Sequence, residues 1–270
     1  EIWFDSKVTT LSSDRTLTVR RNGEACTVRA KVIIGADGRF STISRLGGFV
    51  KSYDHHDLDV IWFLLERPKT YHHYFSFFLG WREPFLILPK HPHHLQCGMV
   101  FRPGAFQKIR DQGIDAFRQK IRAAHPIFRE FADQLTDFKA FHPLKGNRAL
   151  IEKWVKDGVV LIGDAAHTCS PAGGIGVSIA IETAIVAASV ILSGIKSGDL
   201  SDNYLAHIQA LRWRQVKEAH LIQGQGRLFL NPVFRPLRLL IPLIVPLLSA
   251  SKILPLVARR LLTQRSPFHL

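Results

Sequence analysis

Two acids stand at the ends of apolar runs. Asp37 follows Val32-Ile33-Ile34-Gly35-Ala36, and Asp164 follows Val159-Val160-Leu161-Ile162-Gly163. In parallel sheets flanked by helices, ligands bind beyond the carboxyl ends of the strands. A carboxylate there accepts hydrogen bonds from hydroxyls, so a ribose- or ribityl-like polyol is its natural partner. The neighbouring glycines, Gly38 and Gly163, let backbone approach a bulky ligand. The competing reading is that each acid caps the turn or helix that follows it. After Asp164 come Pro171 and the glycines Gly173, Gly174 and Gly176, ahead of an Ala/Ile-rich segment. This pattern delivers bare backbone to a helix start at Gly176-Val177-Ser178, where unpaired N–H groups and the helix dipole favour negative charge. The combination suits a ligand with a polyol chain and a flat ring that rests on backbone.

Other chemistry is less well supported. His55, His56, His72, His73, His91, His93 and His94 cluster in sequence, but surface or substrate-facing roles are favoured over a metal site. His167 reads as a packing residue rather than a general base. Ser170 lacks a GxSxG elbow, which argues against a hydrolase.

The elements that must position the acids are legible. Residues 1–30 alternate in β fashion, and Asn22-Gly23 is a strong hairpin signal. Val32-Ile33-Ile34 and the run from Gly158 to Asp164 lack alternation and are expected to be strands buried on both faces of a parallel sheet. Residues 51–102 hold short aromatic-rich strands separated by turns, as in an antiparallel sheet. Residues 104–135 have helical spacing, with Pro126 opening or breaking a second helix. The segment after Gly176 is apolar almost all round, which predicts a buried helix with Gly194 at its end. Trp62, Phe63, Tyr74, Phe75, Phe77, Phe78, Trp81 and Phe85 suggest an apolar substrate wall, although alternation must send half of them into a core.

The 270 residues suffice for one large domain or two smaller ones. Three separated cysteines and no CxxC argue against a disulfide scaffold and fit a reducing, cytoplasmic compartment. No segment reads as a signal peptide, and the opening Glu1-Ile2-Trp3 suggests an N-terminally incomplete chain. The formal net charge is +14, and from Arg212 onward ten Lys and Arg accompany a single acid, Glu218. No nucleic-acid-binding module accompanies this charge, and nucleic acid is not expected as a partner. The tail after residue 235 is apolar, interrupted by Pro242, Pro246 and Pro255, and too short in its charge-free run to span a bilayer. It reads first as a packed segment and second as a peripheral membrane contact.

Two motifs carry a family resemblance. VIIGADGRFSTISR (residues 32–45) resembles the DG motif of the FAD-dependent monooxygenases related to para-hydroxybenzoate hydroxylase and the ubiquinone-biosynthesis hydroxylases. GVVLIGDAAHTCSPAGGIGVSIAIETA (158–184) is similar to their GD motif. The order of the motifs and the antiparallel insertion between them also match. The resemblance implies an α/β fold: a Rossmann-like FAD-binding domain, incomplete here, with an inserted antiparallel-sheet substrate domain and C-terminal helices. The expected boundaries are 1–50 and 151–195 for the FAD domain, 51–150 for the insertion and 196–270 for the helical region. By the resemblance, Asp164 with Gly163 would hold the ribityl chain. Asp37 and Gly38 would lie near the pyrophosphate, with Ser41 and Arg45 assisting FAD or NAD(P)H phosphates. Pro171, Gly174, Gly176, Val177 and Ser178 would line the isoalloxazine ring, mostly through backbone. NADPH or NADH would reduce FAD, and O2 would supply one oxygen to an apolar or aromatic small molecule.

The chain also departs from the family. Ser178 stands where Asn is usual, and Glu182-Thr183-Ala184 where Asp-Ala is usual. No GxGxxG is present to cradle the ADP half of FAD. Cys169 could in principle attach flavin covalently, but a small packing residue is the simpler reading. Two alternatives accompany the monooxygenase. One is a flavin reductase, dehydrogenase or halogenase of the same fold, although the halogenase WxWxIP is lacking. The other is a non-catalytic remnant that binds membrane surfaces.

Overall fold

The computed structural model describes residues 1–53, 58–68, 71, 75–78, 84–124, 128–171 and 174–224. Pro126, His55, His56, His72, His73, Tyr74, Trp81 and the basic apolar tail lie outside them. The chain divides into two compact units, Glu1–His55 with Asn147–Gln223, and His56–Gly146.

The first unit opens with strands β1 (Ser6–Leu11), β2 (Thr16–Arg21) and β3 (Glu24–Arg29), an antiparallel meander in that order. Asn22 and Gly23 make the β2–β3 turn with φ of 50° and 88°. That double left-handed geometry is why this dipeptide signals a hairpin. Strand β4 (Ile33–Gly35), helix α1 (Thr42–Leu46) and strand β5 (Lys51–Tyr53) follow.

The second unit contains β6 (Asp59–Glu66), β7 (Ser76–Phe78), β8 (Phe85–Lys90) and β9 (His94–Phe101), then helices α2 (Ala105–Asp111), α3 (Ile114–Ala124) and α4 (Arg129–Ala132), and β10 (His142–Lys145). The sheet is antiparallel in the order β10-β6-β9-β8-β7. Alternation divides its aromatics. Phe63 and Phe85 point into the core, where Phe117, Phe128 and Phe131 from the helical segment meet them. Phe63 packs edge-on against Phe117 at 5.9 Å, a favoured aromatic geometry. Trp62, Leu64, Phe77 and Leu86 stand on the opposite face, with Leu64 and Phe77 exposed. Trp62 lies across Gly98 on the paired strand, and a Cβ there would meet the ring at 2.7 Å.

The chain then returns to the first unit through β11 (Ala149–Ile151), β12 (Val155–Lys156), β13 (Val159–Leu161), a 3-10 turn (Gly163–Ala165) and β14 (His167–Thr168). Helices α5 (Gly176–Ser197), α6 (Asp202–Leu205) and α7 (His207–Gly224) complete it. Strand β13 pairs parallel with β4, Val159 opposite Ile33 and Leu161 opposite Gly35, and antiparallel with β12. A second small sheet runs β14-β11-β5. Gly35 is a packing requirement, because a Cβ would fall 2.5 Å from Leu161 Cδ2 and 2.9 Å from Ile43 Cγ2.

Three local expectations change. Ile34 is 47% exposed rather than buried, because its side chain points to the face of β4 opposite Ile33 and Gly35, and among the described residues nothing packs closely there. Helix α5 buries one row, including Ile179, Val186 and Ile191, and exposes Val177, Ile181, Ile185, Leu192 and Ile195. By length and composition alone it could also cross a membrane, but its buried row belongs to the core beside Val160 and Leu161. The helix runs past Gly194 to Gly198, which takes φ 78° as a left-handed C-cap; Gly194 instead packs tightly, a Cβ there meeting Asp199 O at 2.6 Å.

Glu182 ties α5 to α7. Its Oε2 lies 2.6 Å from Nη2 of Arg212, whose side chain is 1% exposed. Removing the acid strands a buried guanidinium, so Glu182→Ala should cost about 3 kcal/mol, the lower part of the range because Glu182 itself keeps some contact with water. Glu182→Gln, which retains an acceptor, should cost less. Urea midpoints of the two variants check the order.

Candidate functional site

Because β4 and β13 run parallel as neighbours, the loops at their carboxyl ends open on the same edge of the sheet. The two acids on those loops are nevertheless used differently. The Asp37 carboxylate accepts hydrogen bonds from the Ser41 hydroxyl, from Thr42 N at 2.6 Å and from Ile43 N at 3.1 Å. Ser41 is the N-cap of α1, and its Oγ accepts from Ser44 N at 2.8 Å. Asp37 is thus built into a cap, the outcome that sequence left open for both acids. Asp164 sits half-buried in the 3-10 turn, and its carboxylate has no hydrogen-bond partner among the described residues. Its main-chain oxygen accepts from Thr168 Oγ1 at 2.8 Å, which fixes the turn. Gly163 takes φ 56°, which a side chain would strain.

The loop from Pro171 leads into the first turn of α5. The N-cap residue Ile175 makes no side-chain cap, and the first turn holds no acid. Among the described residues, the N–H groups at Gly176, Val177 and Ser178 therefore lack a side-chain acceptor, at the positive end of a 22-residue helix. Val177 and Ser178 are exposed there, and Gly174 lies open beside them with φ 65°. Gly38 (φ 79°) has open space where a Cβ would be. Arg45 is exposed on α1. Gly173 lies outside the described residues; the other acids, glycines and flanking residues singled out from sequence belong to three pieces of one unit: the β4–α1 connection with α1, the β13–β14 turn, and the segment that leads into α5 with its first turn.

The sequence reading missed the residues that fasten these pieces. Gln223 of α7 accepts from Ser170 N and donates to Ser170 O, each at 3.0 Å. Lys51 of β5 donates to Arg39 O at 2.8 Å and to Thr168 Oγ1 at 3.2 Å. Neither residue belongs to a recognisable motif, and only long-range packing reveals their partners.

Two titratable groups in the motif are inert. Burial pushes the Cys169 thiol up to about 12, with the Asp164 charge adding to the effect, so it stays protonated and unreactive. His167 is 1% exposed, its ring lies 4.9 Å from that of Trp154, and Nε2 is 3.2 Å from Thr183 Oγ1. The Thr183 hydroxyl donates to Ile179 O, so His167 Nε2 is the donor in that pair and the ring is neutral. Burial lowers its pKa to about 3. His167 is a packing group, as its sequence context suggested. Since the unfolded chain takes up this proton near pH 6.5 and the folded one only near pH 3, stability is full above pH 6.5 and falls on acidification. The expected slope is about 1.4 kcal/mol per pH unit across that window. His167→Gln should flatten that component in denaturant titrations at stepped pH.

Comparisons with known proteins bear on the family and the fold. A family model described as FAD binding domain matches residues 7–219. The chain is 34% identical over 209 residues to 6-methylpretetramide 4-monooxygenase of Streptomyces rimosus, covering 76% of this chain and 49% of that protein. It is 27% identical over 210 residues to digeranylgeranylglycerophospholipid reductase of Methanocella arvoryzae, covering 75% and 50%. The chain therefore spans about half the length of the curated relatives it matches. Among solved structures, OxyS anhydrotetracycline hydroxylase from Streptomyces rimosus superposes with a TM-score of 0.68 at 20% identity, over 98% of this chain and 53% of that one. At that identity the likeness concerns the fold, which is the expected mixed α/β arrangement. With its family model spanning both strand-end motifs, the chain belongs to the FAD-binding domain family.

Proposed function

We propose that the full-length gene product is an FAD-dependent, NAD(P)H-using monooxygenase of an apolar or aromatic small molecule. The observation that carries the flavin reading is the uncommitted Asp164 carboxylate, on the same sheet edge as the Asp37 loop and followed in the chain by an uncapped 22-residue helix. FAD fits these residues. Asp164 would accept hydrogen bonds from ribityl hydroxyls, and the first-turn N–H groups of α5 would face the electron-rich edge of the ring. Gly38 and Arg45 would lie toward the phosphates, while Asp37 and Ser41, whose side chains are taken up by the cap, act mainly by holding α1. Pro171 and Gly174 would lie along the ring. Bound flavin supplies two-electron exchange with the nicotinamide cofactor and activation of O2. The protein's own part is to bind, orient and shield.

We read the first unit as the flavin-binding body and His56–Gly146 as the substrate-binding body. The face bearing Trp62, Leu64, Phe77 and Leu86 supports an apolar, flat substrate. The 34% identity to 6-methylpretetramide 4-monooxygenase supports oxygen insertion and makes the compound in that name the first to test. The 27% identity to digeranylgeranylglycerophospholipid reductase supports a second reading, hydride delivery without oxygen insertion. The free thiols of Cys26, Cys97 and Cys169 support a reducing, cytoplasmic setting.

Two measurements test these readings. Under 18O2 with NADPH or NADH, one labelled oxygen should enter the product; substrate reduced without label would instead establish the reductase. In flavin titrations, Asp164→Asn should weaken FAD binding by roughly 10- to 100-fold, the worth of one charge-assisted hydrogen bond. Asp37→Asn should chiefly lower stability, by about 1 kcal/mol, through the α1 cap.

A further inference from the structure

Lys51 presents an unusual balance of charge and solvation. Its side chain reaches from β5 to two other segments, donating to Arg39 O after β4 and to Thr168 Oγ1 on β14. Thr168 Oγ1 in turn donates to Asp164 O. Lys51 is therefore the tie between the two strand-end loops. Both of its hydrogen-bond acceptors are neutral. The ring of Tyr53 lies 5.7 Å away, and among the described residues no carboxylate forms an ion pair with Nζ. An ammonium carries three N–H donors, and two are used.

Partial burial lowers the Lys51 pKa, while the more distant Asp164 charge raises it and Arg39 lowers it. A cation taken part-way out of water with no carboxylate in contact, and only the Asp164 charge at longer range, is a costly arrangement, and such groups normally meet an opposite charge directly. Structural tying alone does not call for a charge here, since a neutral donor could bridge a carbonyl and a hydroxyl. The place where Lys51 sits, between the Asp37 and Asp164 loops, already collects carboxylates on the sheet edge. A phosphorylated ligand there needs added positive charge.

We propose that Lys51 is an anion-binding residue of this site, its third N–H and its charge directed to a phosphoryl group of the bound dinucleotide. The proposal rests on the flavin-site reading above. The phosphoryl group has two sources, the pyrophosphate of FAD or that of NAD(P)H, and the probes separate them.

The test compares wild type, Lys51→Met and Lys51→Arg in the full-length gene product. Dissociation constants are measured for FAD, riboflavin and NADPH, and melting temperatures with and without inorganic pyrophosphate. The methionine keeps the length of the stem and removes the charge, and Lys51→Arg restores the charge. Lys51→Met should weaken one phosphoryl-bearing probe about tenfold or more, a magnitude expected for a charge-assisted hydrogen bond, and leave riboflavin unchanged. Lys51→Arg should recover most of the loss. An effect on FAD assigns the phosphoryl group to flavin, and an effect confined to NADPH assigns it to the nicotinamide cofactor. If wild type binds no flavin, the flavin reading fails alone, and Lys51 is judged on pyrophosphate. Stabilisation of wild type and Lys51→Arg but not Lys51→Met supports it. The proposal is overturned if no phosphoryl-bearing probe distinguishes Lys51→Met from wild type, or if riboflavin weakens as much as FAD. Should Lys51→Met not fold, Lys51→Gln, a polar neutral replacement, gives the same readout.

Discussion

The parallel ladder between β4 and β13 is the contact on which the site depends. It is only three residues long on each strand, yet it joins segments separated by the whole of the second unit. Closing so long a loop costs entropy, but that cost grows only logarithmically with length. Tight packing across the ladder offsets it. Gly35 lets Leu161 and Ile43 close against the strand, while Ile33, Val159 and Leu161 share a core with Ile151, Trp154 and Ile179. If the register slipped by one residue, side chains would change faces and Asp164 would leave the edge it shares with the Asp37 loop.

Around this ladder, polar contacts rather than further apolar burial fix the glycine-rich loop. A segment with so much glycine has little side-chain surface to bury and much backbone freedom to lose. Its ends are therefore fastened individually. Gln223 holds Ser170 from both sides of the peptide, Thr168 holds the Asp164 turn, and Lys51 links that turn to the loop after β4. The Arg212–Glu182 pair and the His167–Thr183 contact join the helix that follows to its neighbours. Among the described residues, the backbone at the start of α5 is thus free of capping side chains, while the structure around it is heavily hydrogen-bonded.

The second unit separates its two tasks by strand alternation. One face of the sheet is filled with interlocking phenylalanines and supplies stability. On the opposite face Leu64 and Phe77 are exposed among the described residues, and the Trp62 ring lies against Gly98.

Local pattern alone determined the kinds of element and the chemistry at their ends. Period-two alternation marked the meander, Asn22-Gly23 its turn, continuous apolar runs the two parallel strands, and glycines the loop that opens α5. These depend on neighbours a few residues apart, which sequence records directly. The fold decided everything that depends on a distant partner. The Asp37 cap is local, made with residues four to six positions on, but the fold left Asp164 uncommitted because, among the described residues, no donor reaches its carboxylate. The fold exposed Ile34 by leaving the face to which it points without close packing among the described residues, sent Phe63 inward and Trp62 outward by fixing the register, and found partners for Lys51, Gln223 and Glu182. None of these follows from spacing, because the free energy of a polar or edge position is set by what the folded chain brings to it rather than by the residues beside it.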